Sequence, residues 1–368
     1  MKKSSMVIGL AAGLLVVAMI FIALLPAIVT SDMMKPYVIQ KANQNLAGQL
    51  QLESWSVSWF GGIEGQGIAY EDQADGIFVQ ISEIKTEKGL LGLIMAGGSP
   101  GVVDIRDPAV VFFIADKPED QKPQKSPEPV TMPESASSDR GEAFIPAYYG
   151  SLNITNGSIL TATADGKETV VAKNINLNLD APGPNIPITY RFSAESGDNK
   201  GQASGEGSLE LAADAPLNIQ KIQTDSKLSI NNWELEDVFA IISARAAVPQ
   251  AKGRLNAGLS LTGSGADSLK MVGQMAIKTL KLHGGPLGSD TPIVKDIVID
   301  LDGSNTDNGL SINQMTFRSS LANGSASGTI EAENQRRLSG KADVDLAQLF
   351  NQLPATLNLR EGTKITKG

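Results

Sequence analysis

Asn174-Ile175-Asn176-Leu177-Asn178-Leu179-Asp180 is the stretch on which the fold turns. Ile175, Leu177 and Leu179 take alternate positions, and every residue between them is polar. A helix would scatter these three apolar groups around its circumference. An extended strand gathers them on one face and leaves Asn174, Asn176, Asn178 and Asp180 on the other. The stretch predicts a half-buried strand with one wet face.

The same period of two recurs along the chain. Ile188, Tyr190, Phe192 and Ala194 alternate with Thr189, Arg191, Ser193 and Glu195. Leu255, Ala257, Leu259 and Leu261 alternate with Arg254, Asn256, Gly258 and Ser260. Ile297, Ile299 and Leu301 alternate with Asp296, Asp300 and Asp302, with Val298 alone out of step. Asn156-Gly157, Asp165-Gly166, Asp302-Gly303 and Asn323-Gly324 are turn signals, and they predict antiparallel hairpins. The Ala/Ser/Gly stretches 201–207 and 324–328 read as weak strands prone to twist and bulge. A content of 37 glycines with 5% aromatics fits many turns and short strands. The fold class is therefore mainly β, a twisted antiparallel-rich sheet with a few short helices.

Those helices are sparse. Pro36, Tyr37, Val38, Lys41, Asn45 and Leu46 follow helical spacing until Gly48. Leu235, Val238, Phe239, Ile242 and Ala246 fall on one face of a helix over 233–247, with Asn231-Asn232 as its cap and Pro249 as its stop. Leu346, Leu349 and Phe350 place another over 345–352. The block 49–114 reads as strand, strand, one apolar turn at 90–94, then two strands flanking Asp107-Pro108.

Two segments differ in kind. Residues 116–142 carry five prolines among Lys, Glu, Asp and Ser, too little apolar surface to offset ordering entropy, and predict a disordered linker. Residues 6–29 contain no charged side chain. As a helix they would span roughly 36 Å, more than the roughly 30 Å core of a bilayer. Lys2 and Lys3 precede the run and Asp32 follows it, which keeps the N-terminus cytoplasmic. A cleaved signal peptide has a shorter apolar core and a small-x-small boundary, so an uncleaved anchor is the expectation. The predicted organisation is 1–30 cytoplasmic tip and transmembrane anchor, 31–115 juxtamembrane helix and β block, 116–142 linker, and 143–368 β-rich region.

Chemistry is thinly supported. The chain has a net charge of −9, which argues against nucleic-acid binding, and no cysteine. Its one histidine, His283, precedes Gly284-Gly285 in a predicted turn, and no cysteine can assist it as nucleophile or metal ligand. Asp296, Asp300 and Asp302 have the oxygen chemistry of a Ca²⁺ or Mg²⁺ site, yet on a strand they are a solvated face. No catalytic residue, cofactor or metal is expected. What remains is the apolar face, which either packs in a closed sandwich or lines an open groove suited to acyl chains. Periodicity does not separate these.

The order of features resembles the AsmA-like family of bacterial envelope proteins, with its TamB and YhdP branches. The resemblance rests on the N-terminal apolar run, the helix ending near Gly48, and Gly101-Val102-Val103-Asp104-Ile105-Arg106-Asp107-Pro108-Ala109-Val110. It extends to Leu152–Ile159, to Gly253-Arg254-Leu255-Asn256 with Leu261-Thr262-Gly263-Ser264-Gly265, and to Leu346–Pro354. It implies an elongated apolar β-groove in the periplasm, anchored in the inner membrane, that handles phospholipid between the two membranes. Under that reading Ile175, Leu177, Leu179, Ile188, Tyr190, Phe192, Leu255, Leu259, Leu261, Ile297, Ile299 and Leu301 contact acyl chains. The alternative is a non-enzymatic scaffold whose sheet edges pair with outer-membrane or periplasmic proteins.

Overall fold

A computed structural model describes residues 34–44, 46–114, 150–183, 186–210, 223–245, 248–264, 268–306, 309–331 and 336–359. The expected anchor (6–29) and linker (116–142) lie outside these residues. Among the described residues no helix is long and apolar enough to cross a membrane.

The described chain opens with α1 (Lys35–Asn43), then β1 (Gln49–Val57), β2 (Ile63–Asp72) and β3 (Ile77–Thr86). A short α2 (Leu90–Met95) leads to β4 (Gly101–Arg106) and β5 (Ala109–Ile114). Next come β6 (Gly150–Thr163), β7 (Glu168–Ala181), β8 (Ile188–Ser196), β9 (Gln202–Glu210) and β10 (Gln223–Glu234). After α3 (Leu235–Arg245) follow β11 (Gln250–Lys252), β12 (Arg254–Ser264), β13 (Lys270–His283) and β14 (Ile293–Thr306). The described chain closes with β15 (Gly309–Arg318), β16 (Ala322–Glu331), β17 (Arg336–Val344) and α4 (Leu346–Gln352).

All strands join one 17-stranded sheet. Neighbours are antiparallel and follow chain order except at two interrupted lanes; β11 and β12 share one of them, where β12 pairs with β10 and both pair with β13. β4 and β5 form a single interrupted lane between β3 and β6, antiparallel to β3 and parallel to β6. The sheet is therefore mixed, and it continues from the first β block into the second.

The sequence expectations hold for most strands and fail at specific places. β2 was not foreseen, because Gly65 and Gly67 interrupt its alternation and Gly67 sits at φ +61. Of the four turn signals only Asp165-Gly166 makes a hairpin, between β6 and β7, with Gly166 N–H donating to Thr163 C=O. Asn156-Gly157, Asp302-Gly303 and Asn323-Gly324 lie inside β6, β14 and β16. The α3 helix starts at Leu235, and Asn231-Asn232 is no cap. Asn232 is left-handed (φ 51) within β10, where the pairing to β12 slips between Ile230 and Trp233. At α4 the cap is Asp345, whose side chain accepts from Gln348 N–H.

Asn232 belongs to a series. Asp107, Asn156, Asn174 and Asp296 also have positive φ, from 47 to 59°. Pairing slips beside Asn156 and Asn174 as it does beside Asn232. Asn and Asp tolerate this conformation; at Asn156, Asn174 and Asn232 it accompanies a bulge that switches which alternate residues face the core, Asp107 breaks the lane between β4 and β5, and the register of β14 with β13 runs through Asp296 unshifted. These residues lie near one level across the sheet and are tied to it by side-chain amides and carboxylates. Asn156 donates from Nδ2 to Asp107 (2.6 Å) and from its N–H to Asn176 Oδ1 (3.2 Å), and Asn232 N–H donates to Asn256 Oδ1 (2.9 Å).

On one side of this seam α3 fills the hollow of the sheet. Leu235 packs with Ile277 and Ile297, flanked by Phe239, Leu255, Leu280, Val294, Ile299 and Phe317. The same helix also touches β5, β6 and β7. In a flat sheet β5 and β14 would stand roughly 38 Å apart, whereas α3 is about 16 Å long. The sheet therefore bends around α3 with its apolar face inward.

Candidate functional site

The registers connect residues that are far apart in sequence. Trp55 opposes Gly65, which opposes Ile84, then Ile105, Ile154 and Leu177. The row continues through Phe192, Gly205, Leu228, Leu259 and Gly273. It ends with Leu301, Met315, Ala326 and Gly340. Directly opposed residues share a face, so an unbroken apolar row crosses β1–β4, β6–β10 and β12–β17. At about 4.8 Å per lane it follows roughly 65 Å of sheet surface.

The row is fitted together locally. Its glycines make room for larger neighbours: a Cβ at Gly205 would lie 2.3 Å from Phe192 Cε1, and one at Gly273 would lie 3.0 Å from Leu259 Cδ1. Leu177, Phe192, Leu228, Leu259 and Leu301 are half-buried. Among the described residues no second sheet covers them. Trp55 places a buried Nε1 at the start of the row, with no hydrogen-bond partner among the described residues.

The twelve residues expected to line a groove separate into groups. Leu177, Phe192, Leu259 and Leu301 lie in this row. Leu179, Tyr190 and Leu261 lie in the adjacent parallel row, which runs Leu152, Leu179, Tyr190, Gly207, Ser226, Leu261, Met271. Ile188 opposes Leu209, one step further out. Ile175 opposes Gly157 at the seam. Leu255, Ile297 and Ile299 pack on or beside α3, with Ile297 buried. Ile84, Ile105, Ile154, Leu228 and Met315 were not expected in the row. Bulges break the alternation around Ile154, and Leu228 sits in the short pattern Ser226-Lys227-Leu228-Ser229-Ile230.

A cleft of about 1320 Å³ follows the same lanes on the opposite face of the sheet. Its lining combines two polar rows with the apolar row between them. One polar row runs Asp104, Asn153, Asn178, Arg191, Glu206, Lys227, and the other runs Asn176, Ser193, Ser204, Ser229, Gly258, Gln274, Asp300. At its two ends it meets Asp104, and Gln314 with Thr316, without Ile105 or Met315. It is thus a trough on the wet face, whose floor is the backbone of the apolar row. Crossing strands from β4 to β15, it extends roughly 43 Å, giving a mean cross-section of only about 30 Å². The expectation of a groove walled by the twelve apolar side chains does not describe this trough.

Side chains along the trough satisfy one another. Asn153 donates to Asp104 (2.8 Å), Asn178 donates to Asn153 (2.6 Å), and Arg191 pairs with Glu206 at 3.0 Å. Asp300 is held below the usual carboxylate range by hydrogen bonds from Gln274 (2.6 Å) and Thr316 (3.0 Å), then by the charge of Arg318. Asp302 accepts from Asn313 (2.9 Å), and Asp296 lies at the seam. Among the described residues no group of His, Asp or Glu is placed to hold a metal ion. His283 ends β13 opposite Gln250, exposed.

A denser ionic group sits beside the seam. Asp198, in the β8–β9 turn, accepts from Ser196 Oγ, Lys200 N–H and Arg254. Arg254 also meets Glu234 at 3.0 Å and donates to the Asn232 carbonyl at 3.1 Å. Its role is structural, since it ties a turn, a bulge and β12 together.

No family model, characterised protein or solved structure matches the chain.

Proposed function

We propose that the chain is a non-enzymatic lipid-handling protein whose apolar sheet face forms a groove for phospholipid acyl chains. The observation that supports this reading is the transverse apolar row, which crosses the sheet as a continuous line of apolar and glycine positions and, among the described residues, has no second sheet over it. Extended apolar patches of this kind mark surfaces that meet lipid or other apolar partners. The bend around α3 turns this face inward and closes one end, as a groove for chains would require. Covering six methylenes of one acyl chain contributes about 5 kcal/mol, enough to hold a lipid and little enough to release it. The resemblance to AsmA-like proteins and the uncharged run 6–29 point the same way. On this reading residues 6–29 anchor the chain in the bacterial inner membrane, the sheet lies in the periplasm, and the cargo serves outer-membrane lipid homeostasis.

Native mass spectrometry of the detergent-extracted full chain tests this. Phospholipid masses should accompany the protein. Leu177→Asp, Phe192→Asp and Leu259→Asp, made singly, should each strip the lipid and leave the circular dichroism unchanged. Lys227→Ser, in the wet-face trough, should retain it. Lipid that persists in the three folded Asp variants sinks the proposal, and global unfolding of all three shows that the face is a closed core.

A further inference from the structure

The two outer edges of the sheet are built differently. At β1 the edge is occupied by α1. Asn43 accepts from Leu50 N–H (2.7 Å) and donates to Leu50 C=O (3.2 Å), and Lys35 Nζ donates to the Glu53 carbonyl. These bonds consume the backbone groups that another strand would need, a recognised way of blunting an edge. At the opposite edge β17 pairs only with β16 among the described residues, and positions 337–346 are exposed. The helix after it does not shield the edge. α4 turns back toward β14, where Gln352 Oε1 accepts from Ile293 N–H, and beyond it Asp290 accepts from Ala355 and Thr356.

We infer that β17 is a self-pairing edge, and that two copies of this chain join through antiparallel β17 strands about a two-fold axis at Gly340. The sequence of the strand selects this occupant. With all nine residues of β17 overlapped, Gly340 opposes Gly340 of the second copy, and Arg337 opposes Asp343 on the wet face, twice by symmetry. On the apolar face Leu338, which is 51% exposed, opposes Ala342. Opposite charges directly across a pair of strands stabilise it, and the fullest overlap is the register that creates them. Gly340 is also the last member of the apolar row, so this register carries the row from one copy into the next. A head-to-tail contact with β1 is disfavoured by α1. The inference stands whether or not the face binds lipid.

The chain has no cysteine, so introduced thiols report cleanly. Opposed Cα atoms of an antiparallel pair lie about 4.5–5.5 Å apart, within disulfide range. Full-length Gly340→Cys, oxidised in membranes, should give a reducible dimer on a non-reducing gel, and Ser54→Cys at the β1 edge should not. A Cβ at Gly340 would approach the Ser325 carbonyl to 3.0 Å, so Ser339→Cys combined with Lys341→Cys provides a second, exposed pair. In sedimentation of the detergent-extracted chain, Arg337→Asp and Asp343→Arg should each weaken the dimer roughly 10-fold or more, and the double variant should restore it. A monomer at every concentration, Ser54→Cys dimers without Gly340→Cys or 339/341 dimers, or a double variant as weak as the singles overturns the inference.

Discussion

Replacing Arg254 by Met tests whether the seam is held by charge or only by backbone shape. Met keeps the aliphatic stem and removes the guanidinium. Lost with it are the contacts to Asp198 and Glu234 and the hydrogen bond to the Asn232 carbonyl. The side chains of Arg254 and Asp198 are 31% and 28% exposed, and that of Glu234 is 19% exposed. Bonds to charged groups contribute about 1.5–3 kcal/mol when buried, and solvent screening lowers each toward 1 kcal/mol here. The expected loss is about 2 kcal/mol at pH 7. Asp198 is held below the usual carboxylate range, first by the Ser196 hydroxyl and then, against its burial, by Arg254 and the Lys200 N–H. A carboxylate with a lowered folded value contributes stability above its unfolded value of about 3.9, and that stability disappears as pH falls. Asp237 has the opposite sign. Burial and the neighbouring Glu234, Glu236 and Asp198 raise it, so its contribution is present at low pH and is lost as pH rises. Below the unfolded value the unfolded chain protonates the Asp198 carboxyl while the folded Asp198 stays charged, so the stability that Arg254 supports begins to drain away and the gap between Arg254→Met and the native chain should narrow by pH 3. Urea titrations of the full chain at pH 7 and pH 3 measure it. An equal gap at both values, or none at pH 7, refutes the charge account.

Two further outcomes follow from the packing. Asp290 is buried and accepts from the N–H groups of Ala355 (3.0 Å) and Thr356 (2.6 Å) and from Thr356 Oγ1 (2.6 Å), so Asp290→Ala should release the segment after α4, read as hydrogen exchange accelerated roughly 10-fold or more over 346–359. Burial opposes the charge of Asp290, but these bonds keep its carboxyl below the usual range, so acidification through the carboxylate range should produce the same release. Gly205→Val should displace the Phe192 ring, since even a Cβ there lies 2.3 Å from it, and should lower the thermal midpoint while leaving Gly258→Ala, where a Cβ meets nothing within 4 Å, close to native.

The fold class was legible because alternation is a direct consequence of strand geometry, and the long runs at 174–180 and 254–261 carry it without interruption. The candidate row was legible only in pieces. Leu177, Phe192, Leu259 and Leu301 lie on strands whose alternation is clean in that half. Ile154 lies two residues before a left-handed Asn, and a pattern read across that bulge assigns its neighbours to the wrong face. Asn156-Gly157 signals a turn and forms a bulge for the same reason, whereas Asn323-Gly324 lies in plain extended strand with neither positive φ nor a slip in its pairing to β17. Both a turn and a bulge need positive φ, and the local sequence does not say which will form. Glycine in the row was the other hidden signal. Gly205 and Gly273 are apolar positions occupied by the side chain next door, which a tally of hydrophobic residues passes over.

The seam of left-handed Asn and Asp residues gives the sheet something like a reading frame. In β10 the bulge carries one extra residue relative to β12, and the residues beyond it keep their faces only because that residue is there. Deleting Asn232 would turn Trp233 toward water and Glu234 toward the core, while Leu228 and Ile230 stayed in place. The same arithmetic applies to the strands with matching slips. A single-residue deletion at the crease is thus a polarity inversion of half a strand, whereas a two-residue deletion keeps the faces and only shortens the lane. Length variation in this protein should be tolerated in steps of two within strands and in any step between them.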